Sequence, residues 1–248
     1  MDLNARVLEG ELMDAPGLDT SQHLQALKGL QRVNFFSGTA RVVARAILQH
    51  CRQEGRGKQR GRALRILDLA CGGGDVTRAL GRQLLVAGID VEIEGWDRSA
   101  TAIEYARRHS VPLISNRRGD ATNPIRFHQR DVQDLQSEHE YDVVMCTLFL
   151  HHLKRDEAVQ CLSSMYRAAR ELMLVDDLRR TWLGYRLAQL GCQLLTRSPI
   201  VHVDGPLSVR AAFHERELRS LSGDAGLPDP HFQRHWPQRF LMSWKRAS

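Results

Sequence analysis

The feature that most constrains this 248-residue chain is an alternation running through its middle. Between residues 64 and 175, short apolar runs are separated by stretches of helical periodicity. Runs at 64–69, 91–96, 125–129, 141–147 and 171–175 read as strands. The stretches ending near residue 87, at 99–109 and at 156–169 read as helices. Strands joined through helices pair in parallel, cross over with a right hand and lie buried on both faces. The alternation therefore predicts an α/β fold with a mostly parallel sheet, and excludes all-helical and all-β architectures.

The flanks break this rhythm. Residues 21–33 place Leu24, Leu27, Leu30 and Val33 at helical spacing, and residues 37–52 do the same with Val42, Val43, Ala46 and Ile47. Residues 54–62 are glycine-rich and basic and read as a linker. After residue 177 come an apolar helix over 178–196, a loop over 197–207 and a helix over 215–225. Asp177 is a natural cap for the first of these helices. Two closing strands near 231–236 and 239–245 suggest a hairpin turning at Pro237-Gln238. These elements divide the chain into a helical cap with its linker (1–62) and a main domain (63–248) carrying an insert at 178–207.

Composition narrows the possibilities. A hydrophobic content of 42% excludes disorder as the main state. The net charge of +6, from 35 basic against 29 acidic residues, admits acidic partners. Only Lys28, Lys58, Lys154 and Lys245 are lysines, so the excess is an arginine preference rather than a nucleic-acid signature. The five cysteines (Cys51, Cys71, Cys146, Cys161 and Cys192) lack a CxxC pair, which argues against a zinc site or a disulfide framework and fits a reducing cytoplasm. No metal is expected. No stretch is long and apolar enough to span a membrane, and the acidic start of the chain does not read as a secretory signal.

The chemistry concentrates where the first strand ends, in Asp68-Leu69-Ala70-Cys71-Gly72-Gly73-Gly74-Asp75. Glycines let backbone approach a ligand closely, and the helix that follows offers unpaired N–H groups. Asp97 ends the second strand, where a carboxylate can accept both hydroxyls of a ribose. Asp131-Val132 follow the third strand, within reach of an adenine edge. A nicotinamide cofactor would call for GxGxxG, and here Thr77 stands where the last glycine would be.

These residues resemble the motifs of class I S-adenosylmethionine-dependent methyltransferases. The first motif of that family commonly reads acid-x-Gly-x-Gly-x-Gly, and Asp68-x-Ala70-x-Gly72-x-Gly74 departs from it only at Ala70. Residues 146–153, ending Leu150-His151-His152-Leu153, resemble its segment after strand four. The resemblance covers residues 64–175. It implies a Rossmann-like seven-stranded sheet with an antiparallel last strand. It implies S-adenosylmethionine as cofactor, held by Asp68, Ala70, Cys71, Gly72, Gly74, Asp97, Arg98, Asp131, Val132, Cys146, Thr147 and Leu148. Arg32, at the end of the first helix, is a candidate partner for the methionyl carboxylate. The flanks resemble small-molecule methyltransferases of the quinone and polyketide-tailoring kind, whose N-terminal helices and post-strand-five insert cover the substrate.

For the transfer itself, His151 is the first candidate base, since it sits just past strand four with an ordinary pKa of ~6.5. Asp176 is its candidate helper. His152, Tyr185, His202 and Arg210 are candidate acceptor contacts. The reading favours O-methylation of a small aromatic or lipophilic acceptor by a monomer or homodimer. C-methylation of a quinol or polyketide ring, RNA methylation, and cofactor binding without catalysis are the alternatives. RNA is the weaker partner, for want of a recognisable RNA-binding module.

Overall fold

The structure is a computed structural model describing residues 3–15, 17–55, 62–110, 123–136 and 138–246. Seven strands form one sheet: β1 (Leu64–Leu69), β2 (Val91–Asp97), β3 (Ile125–Gln129), β4 (Tyr141–Thr147), β5 (Ala169–Leu178), β6 (His231–His235) and β7 (Arg239–Lys245). Their order is β3-β2-β1-β4-β5-β7-β6. The first five run parallel, and β7 inserts antiparallel between β5 and β6. The sheet is therefore the one the resemblance implies, antiparallel last strand included.

Strand side chains alternate between faces, and this alternation builds two cores. Ile66, Val143, Met145, Leu172 and Leu174 face one layer. Leu67, Leu69, Val144, Met173 and Val175 face the other. On the first side lie α2 (Thr39–Gln53), α3 (Asp75–Val86) and α4 (Ala100–Arg108), through Val43, Ile47, Leu80, Leu84 and Ile103. On the second lie α5 (Arg155–Ala168) and α8 (Glu215–Asp224), through Leu162, Met165, Leu218 and Leu221. The second N-terminal helix is thus part of the sheet's packing. The first N-terminal helix, α1 (Thr20–Ser37), instead meets α6 (Trp182–Leu195) and α7 (Pro199–Ala211) around Ala26, Cys192, Ile200 and Val201.

Three local readings are corrected. Residues 197–207, expected as a loop, lie largely within α7. Pro199, Gly205 and Pro206 look like breakers, but Pro199 occupies the first helical turn, where its missing N–H costs nothing. Gly205 serves packing, since a Cβ there would lie 2.4 Å from the Cys192 sulfur. The insert is accordingly a helical pair over 182–211. Asp177 does not cap α6: β5 continues through Leu178, and Thr181 is the cap, its hydroxyl accepting from Gly184 N at 2.9 Å. Finally, Arg62 and Arg65 spend their charge internally, on Asp142 and Glu140. Arg56, Lys58 and Arg60, the rest of that basic run, lie outside the described residues.

The glycine turn leans on a crowded neighbour. At Gly95 of β2, a Cβ would lie 2.7 Å from the Phe127 ring and 2.9 Å from the Cys71 sulfur. Gly95→Ala is expected to lower stability by about 1–3 kcal/mol, the cost of overpacking a filled core. Urea unfolding checks this through a lower midpoint at an unchanged slope.

Candidate active site

The site lies along the carboxyl edge of the sheet, where open α/β folds hold ligands. A cavity of about 1310 Å³ runs there. At one end it is lined by the turn Ala70–Gly73 with Asp97 and Ser99, at another by Leu187, Leu190 and Leu194 of α6. Backbone strain marks two strand ends that border it. Ala70 and Leu148, neither a glycine, both sit at φ 53°. Such left-handed residues cost about 1–3 kcal/mol each and concentrate at functional sites.

The turn is shaped by alternating left-handed residues, with Gly72 at φ 53° and Gly74 at φ 68°. Asp97 braces it: one carboxylate oxygen accepts from Gly72 N and the other from Ser99 N, both at 2.8 Å. Burial pushes the Asp97 carboxyl above its usual range. Asp68 lies fully buried beneath, with one oxygen accepting the Thr77 hydroxyl at 2.6 Å. Its other oxygen has no partner among the described residues. Burial pushes this carboxyl up to about 7.

A second constellation gathers at the 3-10 turn Leu150–His152. Buried His151 donates from Nδ1 to Asp177 Oδ1 at 2.6 Å, and its backbone N donates to Asp177 Oδ2 at 3.0 Å. Its Nε2 faces Glu11 Oε1 at 3.6 Å. His152 Nε2 faces the same oxygen at 3.8 Å, and its Nδ1 faces Asp14 Oδ2 at 3.6 Å. Burial alone would lower the His151 pKa, but the charge and hydrogen bond of Asp177, with Glu11 opposite, push it up to about 10. Asp14 is held at about 2, chiefly by the imidazole of His152 beside it. The imidazole expected as a free base is therefore one that keeps its proton near neutral pH.

Glu11 and Asp14 come from a segment the sequence left irregular. Residues 3–14 cross the site as a strap. Leu12 N and Met13 N donate to the Asp204 carboxylate at 2.8 and 2.9 Å. Arg6 Nη2 donates to His151 O and Leu153 O, both at 2.7 Å. Buried Arg180 ties Leu3 O, Ala212 O and Glu217 together. No periodicity announces such a strap, because its contacts are polar and distant in sequence.

The cavity brings together Ala70, Cys71, Gly72, Asp97, Arg98, Asp131, Val132, Thr147, Leu148, His151 and His152. Other expected site residues are placed elsewhere. Asp68, Gly74 and Cys146 are in the turn and strands behind the lining. Arg32 is exposed, with Nη1 3.5 Å from Leu195 O, whereas Asn34 of the same helix end lines the cavity and donates to Asp75 at 3.2 Å. His202 is bonded to Thr196 O at 2.9 Å, Arg210 pairs with Glu9 at 3.2 Å, and Tyr185 is outside the lining. Asp176 is outside it too, bound to His235 Nε2 at 2.6 Å. Neighbours on a strand face opposite ways, so Asp177, and not Asp176, turns toward His151.

Residues 66–171 match the sequence model of a family described as "Methyltransferase domain". Those 106 residues, rather less than half of the chain, are similar to a methyltransferase domain. The chain is 25% identical over 136 residues to the ubiquinone biosynthesis O-methyltransferase of Xanthomonas campestris pv. campestris. That match takes in 54% of this chain and 51% of the relative, so it spans about half the relative's length. Among solved structures, magnesium protoporphyrin IX methyltransferase from Synechocystis PCC 6803 superposes with a TM-score of 0.54 at 15% identity, covering 95% of this chain and 88% of that one. An O-methyltransferase family protein from Burkholderia thailandensis gives 0.53 at 18% identity, covering 75% and 52%. At these identities the likeness is one of fold.

The residues of the turn fit S-adenosylmethionine, the cofactor that the resemblance implies. The unpartnered Asp68 oxygen is a buried acceptor suited to a cationic ammonium. Each Asp97 oxygen accepts one backbone donor and keeps a further lone pair for a hydroxyl. No helix among the described residues is long and apolar enough to cross a membrane.

Proposed function

We propose that the chain transfers a methyl group from S-adenosylmethionine to a hydroxyl of a small aromatic or lipophilic acceptor. The observation carrying this reading is the continuity of one cavity from the Asp97-braced turn to the α6 leucines, past the Glu11, His151 and His152 cluster. Bound at the turn, the cofactor supplies an electrophilic methyl on a positively charged sulfur. Asp97 holds its ribose hydroxyls and Asp68 its ammonium, while the strap and α6 exclude water and align the acceptor. The acceptor oxygen bonds the methyl carbon as the carbon–sulfur electron pair goes to sulfur, and the hydroxyl proton passes to the protein. Because His151 is already charged, Glu11 is the cavity-lining carboxylate that takes this proton, and Asp177 offsets the His151 charge that holds Glu11 below its usual range. The O-methyltransferase names among the relatives support oxygen over carbon.

The test is formation of S-adenosylhomocysteine in the presence of hydroxylated aromatic acceptors, carbon acceptors or total RNA. Turnover dependent on a hydroxylated aromatic is expected, and turnover with RNA alone would overturn the reading.

Asp68 adds a pH prediction. Its pKa in the folded chain, about 7, lies above the ordinary 3.8 of an aspartate, so its protonated form stabilises the free protein and that contribution is lost as pH rises through 7. A bound ammonium favours the carboxylate. Cofactor affinity should therefore rise with pH through 7, and binding near pH 6.5 should release about half a proton to one proton. Calorimetry in buffers of different ionisation enthalpy measures this release. Asp68→Asn should abolish it, and a release surviving in that variant would contradict the assignment.

A further inference from the structure

We propose that Glu11, His151 and His152 form a binding site for one divalent transition-metal ion of the zinc class. One ligand atom from each of Glu11, His151 and His152 lies within 4.8 Å of the other two. The carboxylate oxygen is 3.6 Å from one ring nitrogen and 3.8 Å from the other. Both separations exceed a direct N–H···O bond. Zinc at 2.0–2.1 Å from tetrahedral nitrogen and oxygen ligands sets them about 3.4 Å apart. The two carboxylate–nitrogen separations are thus a few tenths of an ångström wider than in a loaded site, and the three ligand atoms cluster within 4.8 Å.

The far side of the His151 imidazole carries an independent sign. A metal-bound histidine characteristically donates its other ring N–H to a carboxylate or carbonyl, which fixes the tautomer and aims the lone pair at the ion. His151 Nδ1 donates to Asp177 at 2.6 Å and keeps that bond when an ion displaces the proton on Nε2; His152 Nδ1 stands 3.6 Å from Asp14, beyond a direct bond. Glu11 is in turn steadied by the Ser208 hydroxyl. The strap that delivers Glu11 is pinned by Arg6 to the carbonyls of His151 and Leu153, on the turn that carries both rings. Ligands far apart in sequence are therefore held in one arrangement before any ion arrives.

The donor set selects the ion. Two imidazoles and one carboxylate suit zinc and its transition-metal neighbours, whereas magnesium and calcium prefer all-oxygen sites. Three protein ligands leave a coordination position open, and all three residues line the cavity. An ion there would engage Glu11 as a ligand and replace the free carboxylate in that role, facing a bound acceptor and easing the loss of its hydroxyl proton. Sequence spacing hides this site, because the carboxylate precedes the adjacent histidines by more than half the chain.

The experiment uses the full-length, tag-free protein after dialysis against a chelator. Zn²⁺ is titrated by calorimetry, Co²⁺ by its visible absorption, and Mg²⁺ as competitor. One equivalent of Zn²⁺ and a cobalt band are expected, with Mg²⁺ in excess displacing neither. Glu11→Gln and His152→Gln should each weaken zinc binding at least 100-fold, and Asp177→Asn about 10–100-fold. His231→Gln, at an exposed histidine of β6, should change nothing. Circular dichroism verifies that each variant is folded. Binding below a tenth of an equivalent would overturn the proposal, as would wild-type affinity in both Glu11→Gln and His152→Gln, or equal affinity for Mg²⁺. The readout is binding alone, so it stands or falls separately from methyl transfer.

Discussion

Asp177→Ala is expected to destabilise the protein by about 3–5 kcal/mol, the cost of breaking a buried charge pair and leaving one partner uncompensated. Asp177 is buried, and its carboxylate accepts three bonds, from His151 Nδ1, His151 N and Leu178 N. Alanine would strand the imidazolium and two backbone donors at the end of β5. Whole domains are stable by about 5–15 kcal/mol, so the loss is a large share of the total. Urea unfolding measures it. The double variant Asp177→Ala/His151→Ala should recover part of the loss, because the stranded charge is gone. A loss under about 1 kcal/mol would mean that the pair is not formed in solution.

Asp97→Ala is expected to weaken S-adenosylhomocysteine binding about 100-fold, equivalent to roughly 2.8 kcal/mol. That is the scale of hydrogen bonds from two ribose hydroxyls to a charged acceptor in a partly dry site. The same carboxylate also braces Gly72 N and Ser99 N, so a smaller stability loss accompanies it. Asp97→Asn should fall between wild type and alanine, since the amide keeps one acceptor oxygen. Calorimetric titration checks both, and unchanged affinity in Asp97→Ala would remove Asp97 from the ribose.

How much of this was readable in advance follows from where each signal resides. The parallel strands were legible because a strand buried on both faces must be apolar along its length. The turn at Ala70–Gly74 was legible because two of its left-handed positions are glycines. Ala70 accepts the same strain without one, which is why it looked only like a departure. The strap was not legible. Glu11 and Asp14 acquire partners through Asp204, Arg6 and Ser208, all distant in sequence and none part of a periodic pattern. The hinge after β5 was misread for a related reason. Two consecutive acids look like a cap, and only the sheet's two-residue period shows that Asp176 and Asp177 serve different histidines, His235 and His151. The helix α7 was hidden by Pro199, Gly205 and Pro206, whose roles there are a first-turn proline, a close helix crossing and a tolerated interior proline.

The most direct test of the account is a single-turnover reaction with S-adenosylmethionine carrying a ¹³C-methyl group and a hydroxylated aromatic acceptor that supports turnover. Carbon NMR of the extracted product locates the label. The account predicts a methoxy signal that Asp97→Ala suppresses at limiting cofactor. A label bonded to a ring carbon would contradict it, as would transfer that Asp97→Ala leaves untouched at limiting cofactor.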